Sequence, residues 1–138
     1  YTYGKIQIPA LTSVPRNTYD FNKLVRNGKY FQYKGTDVVT SKTGIDVSYH
    51  QREIDWEKVA ADGIDFVMIR VGYRGYETGN VTIDSSFEQY INGASAAGLD
   101  VGVYFYSQAL NVDEAKEEAD AVIKAVSGYK ISYPVVFD

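Results

Sequence analysis

Phe66-Val67-Met68-Ile69-Arg70-Val71 and Val101-Gly102-Val103-Tyr104-Phe105-Tyr106-Ser107, taken with the residues between them, decide the fold. Each run is almost continuously apolar, the pattern of a strand covered on both faces in a parallel sheet. Between them Phe87, Tyr90, Ile91, Ala94 and Ala97 recur at helical spacing. Ser85 and Glu88 are spaced as a capping box, and Gly98 stands where a left-handed C′ residue closes a helix. Strand, amphipathic helix and second strand make one parallel crossover unit.

The pattern extends in both directions. Upstream, Gly44-Ile45-Asp46-Val47-Ser48 predicts a short strand ending in polar residues. Asp55 predicts an N-cap for a helix carrying Trp56, Val59 and Ala60, which Gly63 ends. Downstream, Asn111 and Glu114 repeat the capping-box spacing. An apolar stripe of Ala115, Ala119, Val122, Ile123 and Val126 follows, and Gly128 stops it. Pro134-Val135-Val136-Phe137-Asp138 predicts a fourth strand, with its proline tolerated at the first position. Residues 44–138 therefore read as four strands alternating with three helices, an α/β fold with a parallel sheet. The candidates are the first four strands of a (β/α) barrel or a small open doubly wound sheet.

Residues 1–43 read differently. They hold Pro9 and Pro15 and show no long helical period. Lys5–Ile8 and Lys29–Tyr33 suggest strands of a small hairpin, with turns at Asn27-Gly28 and Lys34-Gly35. This segment is expected to be an extension or linker, in the form of a small β module.

Composition narrows the chemistry. Eighteen Asp and Glu against fourteen Lys and Arg give a net charge of −4, so nothing favours a nucleic-acid partner. There are no cysteines, which excludes disulfides, thiolate zinc sites and cysteine nucleophiles. The single histidine, His50, excludes clustered histidine metal sites and reads as a loop hydrogen-bonder rather than a general base. Thirteen tyrosines suit both packing and sugar-lined clefts. No apolar run is long enough to span a membrane. The opening residues lack the basic start and apolar core of a signal peptide, so none is expected in this chain. Phosphate-loop and dinucleotide fingerprints are absent, and Gly72-Tyr73-Arg74-Gly75 lacks the required glycine spacing and following helix.

In parallel α/β folds, sites form at the carboxyl ends of strands. The residues there are Asp46, Arg70, Tyr73, Tyr104, Tyr106 and Asp138. Two carboxylates at such a rim suit glycosidic hydrolysis, in which one group carries a proton and another steadies developing positive charge. Tyr104 and Tyr106 share one side of their strand and suit either core packing or a sugar platform. Arg70 is expected to pair with an acidic neighbour across the mouth. Trp56 reads as core and the Glu114–Asp120 run as a solvated helix face. Asp46 and Asp138 could ligate Mg²⁺ or Ca²⁺ through oxygen, but no compact calcium loop appears, so no metal or other cofactor is expected.

The sequence resembles the family 25 glycoside hydrolases, lysozymes that cleave bacterial peptidoglycan. The matching pieces are Gly44–Ser48, Gln51, Ile54-Asp55-Trp56, Phe66–Arg70, Gly102–Tyr106 and Tyr133–Asp138, in the family's order across 44–138. The resemblance implies a modified (β/α) barrel that hydrolyses the β-1,4 bond between N-acetylmuramic acid and N-acetylglucosamine. It implies an extracellular or wall-associated enzyme with peptidoglycan as partner. The family's first-strand acid falls on Asp46, and the Asp of its fourth-strand Asp-x-Glu motif falls on Asp138. The family's general acid, the Glu, would come two residues later. A further acid and several aromatics belong to the family's second half. That half, as continuing or separate chain, is therefore an expected partner, and these 138 residues alone are expected to be inactive. Substrate-assisted chemistry would have Asp46 or Asp138 orient the acetamide. The family's Tyr-His-Phe reads Tyr104-Phe105-Tyr106 here. Two other readings are a peptidoglycan-binding protein on a degenerate scaffold and a self-associating half-barrel.

Overall fold

The computed structural model describes residues 13, 15, 17–35 and 40–138. Strands β1 (Leu24–Asn27) and β2 (Tyr30–Tyr33) form an antiparallel hairpin, preceded by a 3₁₀ turn at Phe21–Lys23. The two-residue connection contains Gly28 at φ +60°, a left-handed conformation that glycine adopts without steric cost. The partner of the Tyr30–Tyr33 strand is thus Leu24–Asn27; Lys5–Ile8 lies outside the described residues. Lys29 and Tyr30 both bond to the Asp62 carboxylate, which fastens the hairpin to the rest of the chain.

The main sheet comprises β3 (Gly44–Val47), β4 (Phe66–Arg74), β6 (Asp100–Tyr106) and β7 (Val135–Phe137), parallel and in that spatial order. A short strand, β5 (Val81–Ile83), pairs antiparallel with the end of β4. It takes the edge of β4 beyond the point where β3 leaves off. The helices are α1 (Trp56–Ala61), α2 (Phe87–Ala96) and α3 (Val112–Val126). This is the expected α/β arrangement of four parallel strands, with β5 as an addition that three residues of sequence did not signal.

Strand parity divides the sheet into two faces. Val67, Ile69 and Val71 of β4 and Val101, Val103 and Phe105 of β6 are buried in one core with Phe87, Tyr90, Ile91 and Ala94 of α2. Trp56 belongs to this core as expected and meets Tyr90 edge-on at 5.6 Å. The Trp56 ring also lies against Gly93, where any Cβ would overlap it. The opposite face carries Asp46, Met68, Arg70, Gly102, Tyr104 and Val136.

Helix ends follow the sequence in part. Asp55 accepts from the Lys58 amide at 3.1 Å, and Asn111 accepts from the Glu114 amide at 2.9 Å. The Ser85–Glu88 box does not form. α2 starts at Phe87, and Asp84 takes the Ser86 N–H at 2.9 Å instead, because its carboxylate already faces that turn. The α3 stripe also differs. Glu118 and Val122 are its buried residues, while Ala119 is exposed and Ile123 is 65% exposed. Glu118 is therefore not on a solvated face: it is drawn inward by Arg74 at 2.7 Å.

Candidate active site

Parallel register brings the two predicted carboxylates together. Asp46 pairs with Met68 across β3 and β4, and Met68 pairs with Gly102 across β4 and β6. Tyr104 pairs with Val136, and Asp138 follows one pleat further along, on the same face. Asp46, Met68, Tyr104, Val136 and Asp138 line one open depression of about 290 Å³. Gly102 is needed beneath it, since a Cβ there would collide with the Met68 side chain and with Tyr133.

Tyr104 is the polar centre of this depression. Burial pushes its phenol pKa up from the ordinary value; the Arg70 charge opposes this, while Asp46, Asp138 and Asp84 add to it. The hydroxyl therefore stays protonated at neutral pH and remains a hydrogen-bond donor.

Arg70 lies beside the depression and pairs with an acid, as predicted. Its Nε donates to Asp84 Oδ2 at 2.9 Å, and the side chain of Asp84 is only 1% exposed. Nη2 stands 2.8 Å from the same oxygen, close enough for charge attraction but without hydrogen-bond geometry. Asp84 also accepts from the Tyr49 amide at 3.1 Å. The guanidinium sits 5.1 Å from the ring centroids of both Tyr49 and Tyr73, a cation–π position on each.

Tyr73 shares a face with Arg70 only because β4 is irregular. Two residues three apart lie on opposite faces of a regular strand. The register shifts between Arg70 and Gly72, so Gly72 pairs with Phe105 and Tyr73 with Tyr106. The inserted residue turns Tyr73 toward Tyr104 and Tyr106 and sends Arg74 to the helix side. The strand thus continues through Gly72-Tyr73-Arg74, where the sequence suggested that it had ended. Tyr106 stands at the rim, 44% exposed. His50 is exposed in a 3₁₀ turn, Tyr49–Gln51, with its ring 4.0 Å from that of Tyr49.

Sequence reasoning missed Asp84 and Tyr49. Asp84 stands in the turn before α2, and nothing nearby in sequence signals its ion pair. Among the described residues, no group of three or more His, Cys, Asp or Glu side chains is placed to hold a metal ion. No helix among them is long and apolar enough to cross a membrane.

These features define an α/β protein with a mostly parallel sheet and an acidic, tyrosine-bearing depression at the carboxyl ends of its parallel strands. The chain belongs to family 25 of the glycosyl hydrolases, whose model matches residues 45–138. It is 27% identical over 95 residues to an autolytic lysozyme of Clostridium acetobutylicum, covering 69% of this chain and 27% of that protein. Among solved structures, the modular autolysin LytC of Streptococcus pneumoniae is similar at 27% identity and a TM-score of 0.66. That match covers 83% of this chain and 27% of LytC. A family 25 glycosyl hydrolase from Bacillus anthracis shares the fold at 21% identity and a TM-score of 0.61, over 82% of this chain and 48% of its own. The chain thus spans about a quarter of the autolysins it matches.

Proposed function

We propose that this chain supplies the first part of the catalytic domain of a peptidoglycan muramidase, cleaving the β-1,4 bond between N-acetylmuramic acid and N-acetylglucosamine. The observation that carries this is the shared depression holding Asp46, Asp138 and Tyr104. LytC has also been solved in complex with a synthetic peptidoglycan ligand, which supports a glycan strand as the occupant of this cleft. On this reading the enzyme works outside the cell or in the wall.

In the proposed reaction the acetamide of the muramoyl sugar attacks its own anomeric carbon as the glycosidic bond breaks. The leaving oxygen takes a proton from a general acid beyond Asp138. Asp46 or Asp138 orients the acetamide and steadies the positive charge of the resulting oxazolinium ion. Water then opens that ring and restores the acetamide. Tyr104 donates to a sugar oxygen. Tyr73 and Tyr106 provide apolar ring faces for the pyranose, and Arg70 holds the Tyr73 side of the cleft.

The remaining half of the barrel is the proposed partner, in the same chain or a separate one. The support is an apolar groove of about 240 Å³ between α3 and β7, lined by Phe105, Val122, Ile123, Val126, Val135 and Phe137. Phe137 is 63% exposed there. Residues 1–43 are proposed as an extension outside the hydrolase unit.

The test is the release of new reducing ends from cell walls. The complete domain should be active and residues 1–138 alone inactive. Asp46→Asn and Asp138→Asn should each lower turnover by about 100-fold or more while unfolding at nearly the wild-type denaturant concentration. Wild-type turnover in both variants removes them from the chemistry.

A further inference from the structure

Glu118 has no part in the proposed chemistry, yet it is a charged group sealed inside the protein. Its side chain is 1% exposed and its carboxylate is fully engaged. Oε1 accepts from Arg74 Nε at 2.7 Å, and Oε2 accepts from the Ser107 hydroxyl at 2.6 Å. Arg74 is itself 5% exposed; its other nitrogens reach the Gly79 and Glu114 carbonyls and the Glu117 carboxylate. A buried ion pair of this kind rarely stabilises more than an apolar pair of similar volume would, so packing alone does not account for it.

The Glu118 contacts converge on the rim of the cleft. Arg74 is the last residue of β4, and Ser107 is the first residue after β6. The Ser107 N–H donates to the Asp138 carbonyl at 2.8 Å, and the Asp138 N–H donates to the Phe105 carbonyl at 3.0 Å. The Ser107 hydroxyl also accepts from the Ala109 amide at 3.3 Å, and Gln108 Nε2 donates to the Arg74 carbonyl at 3.1 Å. One carboxylate thus ties the ends of β4 and β6 together, and Ser107 passes that tie to Asp138. β7 is only three residues long and exposed throughout, so among the described residues these two backbone bonds are what hold the Asp138 backbone to β6.

We propose that Glu118 is a positioning residue for Asp138, acting through Ser107. Glu118 fixes the Ser107 hydroxyl, the Ser107 amide then fixes the Asp138 carbonyl, and the Asp138 side chain is held over the depression it shares with Asp46. This rests on the reading of Asp138 as a cleft carboxylate. The link is needed because a displacement of about 1 Å in a reacting constellation is enough to cost large factors in rate.

The cleanest perturbation is Ser107→Ala, which removes the hydroxyl and leaves the Arg74–Glu118 pair intact. It is made in the polypeptide carrying the whole catalytic domain. Turnover is measured on a tetrasaccharide of alternating N-acetylglucosamine and N-acetylmuramic acid, and amide hydrogen exchange on the same protein. Exchange at Ser107 and Asp138 should quicken about tenfold, kcat should fall about tenfold, and KM should stay within about twofold. Ser107→Thr, which keeps the hydroxyl, should restore both readouts. Wild-type exchange at the two amides overturns the link, as does loosened exchange with unchanged kcat. Asp138→Asn is run alongside. If it keeps wild-type turnover, the cleft reading has failed, and the Ser107–Asp138 link is then judged on amide exchange alone.

Discussion

Replacing Asp84 by Asn should reveal how the Arg70 side of the cleft is built. The carboxylate is buried and takes the Arg70 charge, the Tyr49 amide and the Ser86 amide. The two partners of the ion pair differ in what they have without each other. Asp84 without Arg70 keeps two backbone N–H donors. Among the described residues, the contacts left to Arg70 without Asp84 are the two tyrosine faces, and its Nη2 has no hydrogen bond even now. Asp84→Asn should therefore cost about 3–5 kcal/mol, the usual penalty for leaving a buried charge uncompensated. Arg70→Met should cost less, on the order of 1–3 kcal/mol. The double variant, Arg70→Met with Asp84→Asn, should be more stable than Asp84→Asn alone by about 2 kcal/mol, because the stranded cation is gone. With a slope of about 1.5 kcal/mol per molar urea, the single Asp84 variant should unfold about 2–3 M earlier than wild type. Equal costs for the two single variants, or strict additivity in the double, would refute the asymmetry.

Three further outcomes follow from particular contacts. Gly93→Ala should destabilise by about 1–3 kcal/mol in urea titration despite a helix-propensity gain of about 1 kcal/mol, because the new methyl displaces Trp56; with Trp56→Ala also present, the sign should reverse. Tyr104→Phe should lower glycan turnover about tenfold with little change in unfolding midpoint, since it removes a donor but keeps the ring. The Asp62 carboxyl pKa is held below its ordinary value by hydrogen bonds from Lys29 and then Tyr30. A depressed carboxylate contributes above its unfolded value and loses that contribution as pH falls through its folded value, so amide exchange in 24–33 should quicken only below the ordinary aspartate range. Asp62→Asn should show the quickened exchange at neutral pH.

Much of the site was legible because its logic is local. The apolar runs and the polar residues that follow them put Asp46, Tyr104 and Asp138 near the carboxyl ends of their strands, and parallel pairing brings those strands into one sheet. The same holds for the core stripe of α2 and for the caps at Asp55 and Asn111, where the partner lies within one helical turn. Tyr73 was located near the rim, yet its face depended on the extra residue in β4, which depends on how β4 accommodates β6 and β5 together. The Ser85 cap failed for a related reason: Asp84, held by Arg70 and Tyr49, was already there.

Glu118 marks the boundary most clearly. In the chain it sits in an acidic run with the spacing of a solvated helix, and side-chain chemistry alone keeps it in water. Only the arrival of Arg74 from a strand 44 residues away, with Ser107 beside it, supplies the charge and hydrogen bonds that make its burial tolerable. Short-range sequence pattern determined the four parallel strands, the three helices and which residues stand near the strands' carboxyl ends, but not β5 or the full length of β4. Tertiary structure alone decided which charges are buried and which side chains they hold, because the energy of a charge depends on its neighbours in space.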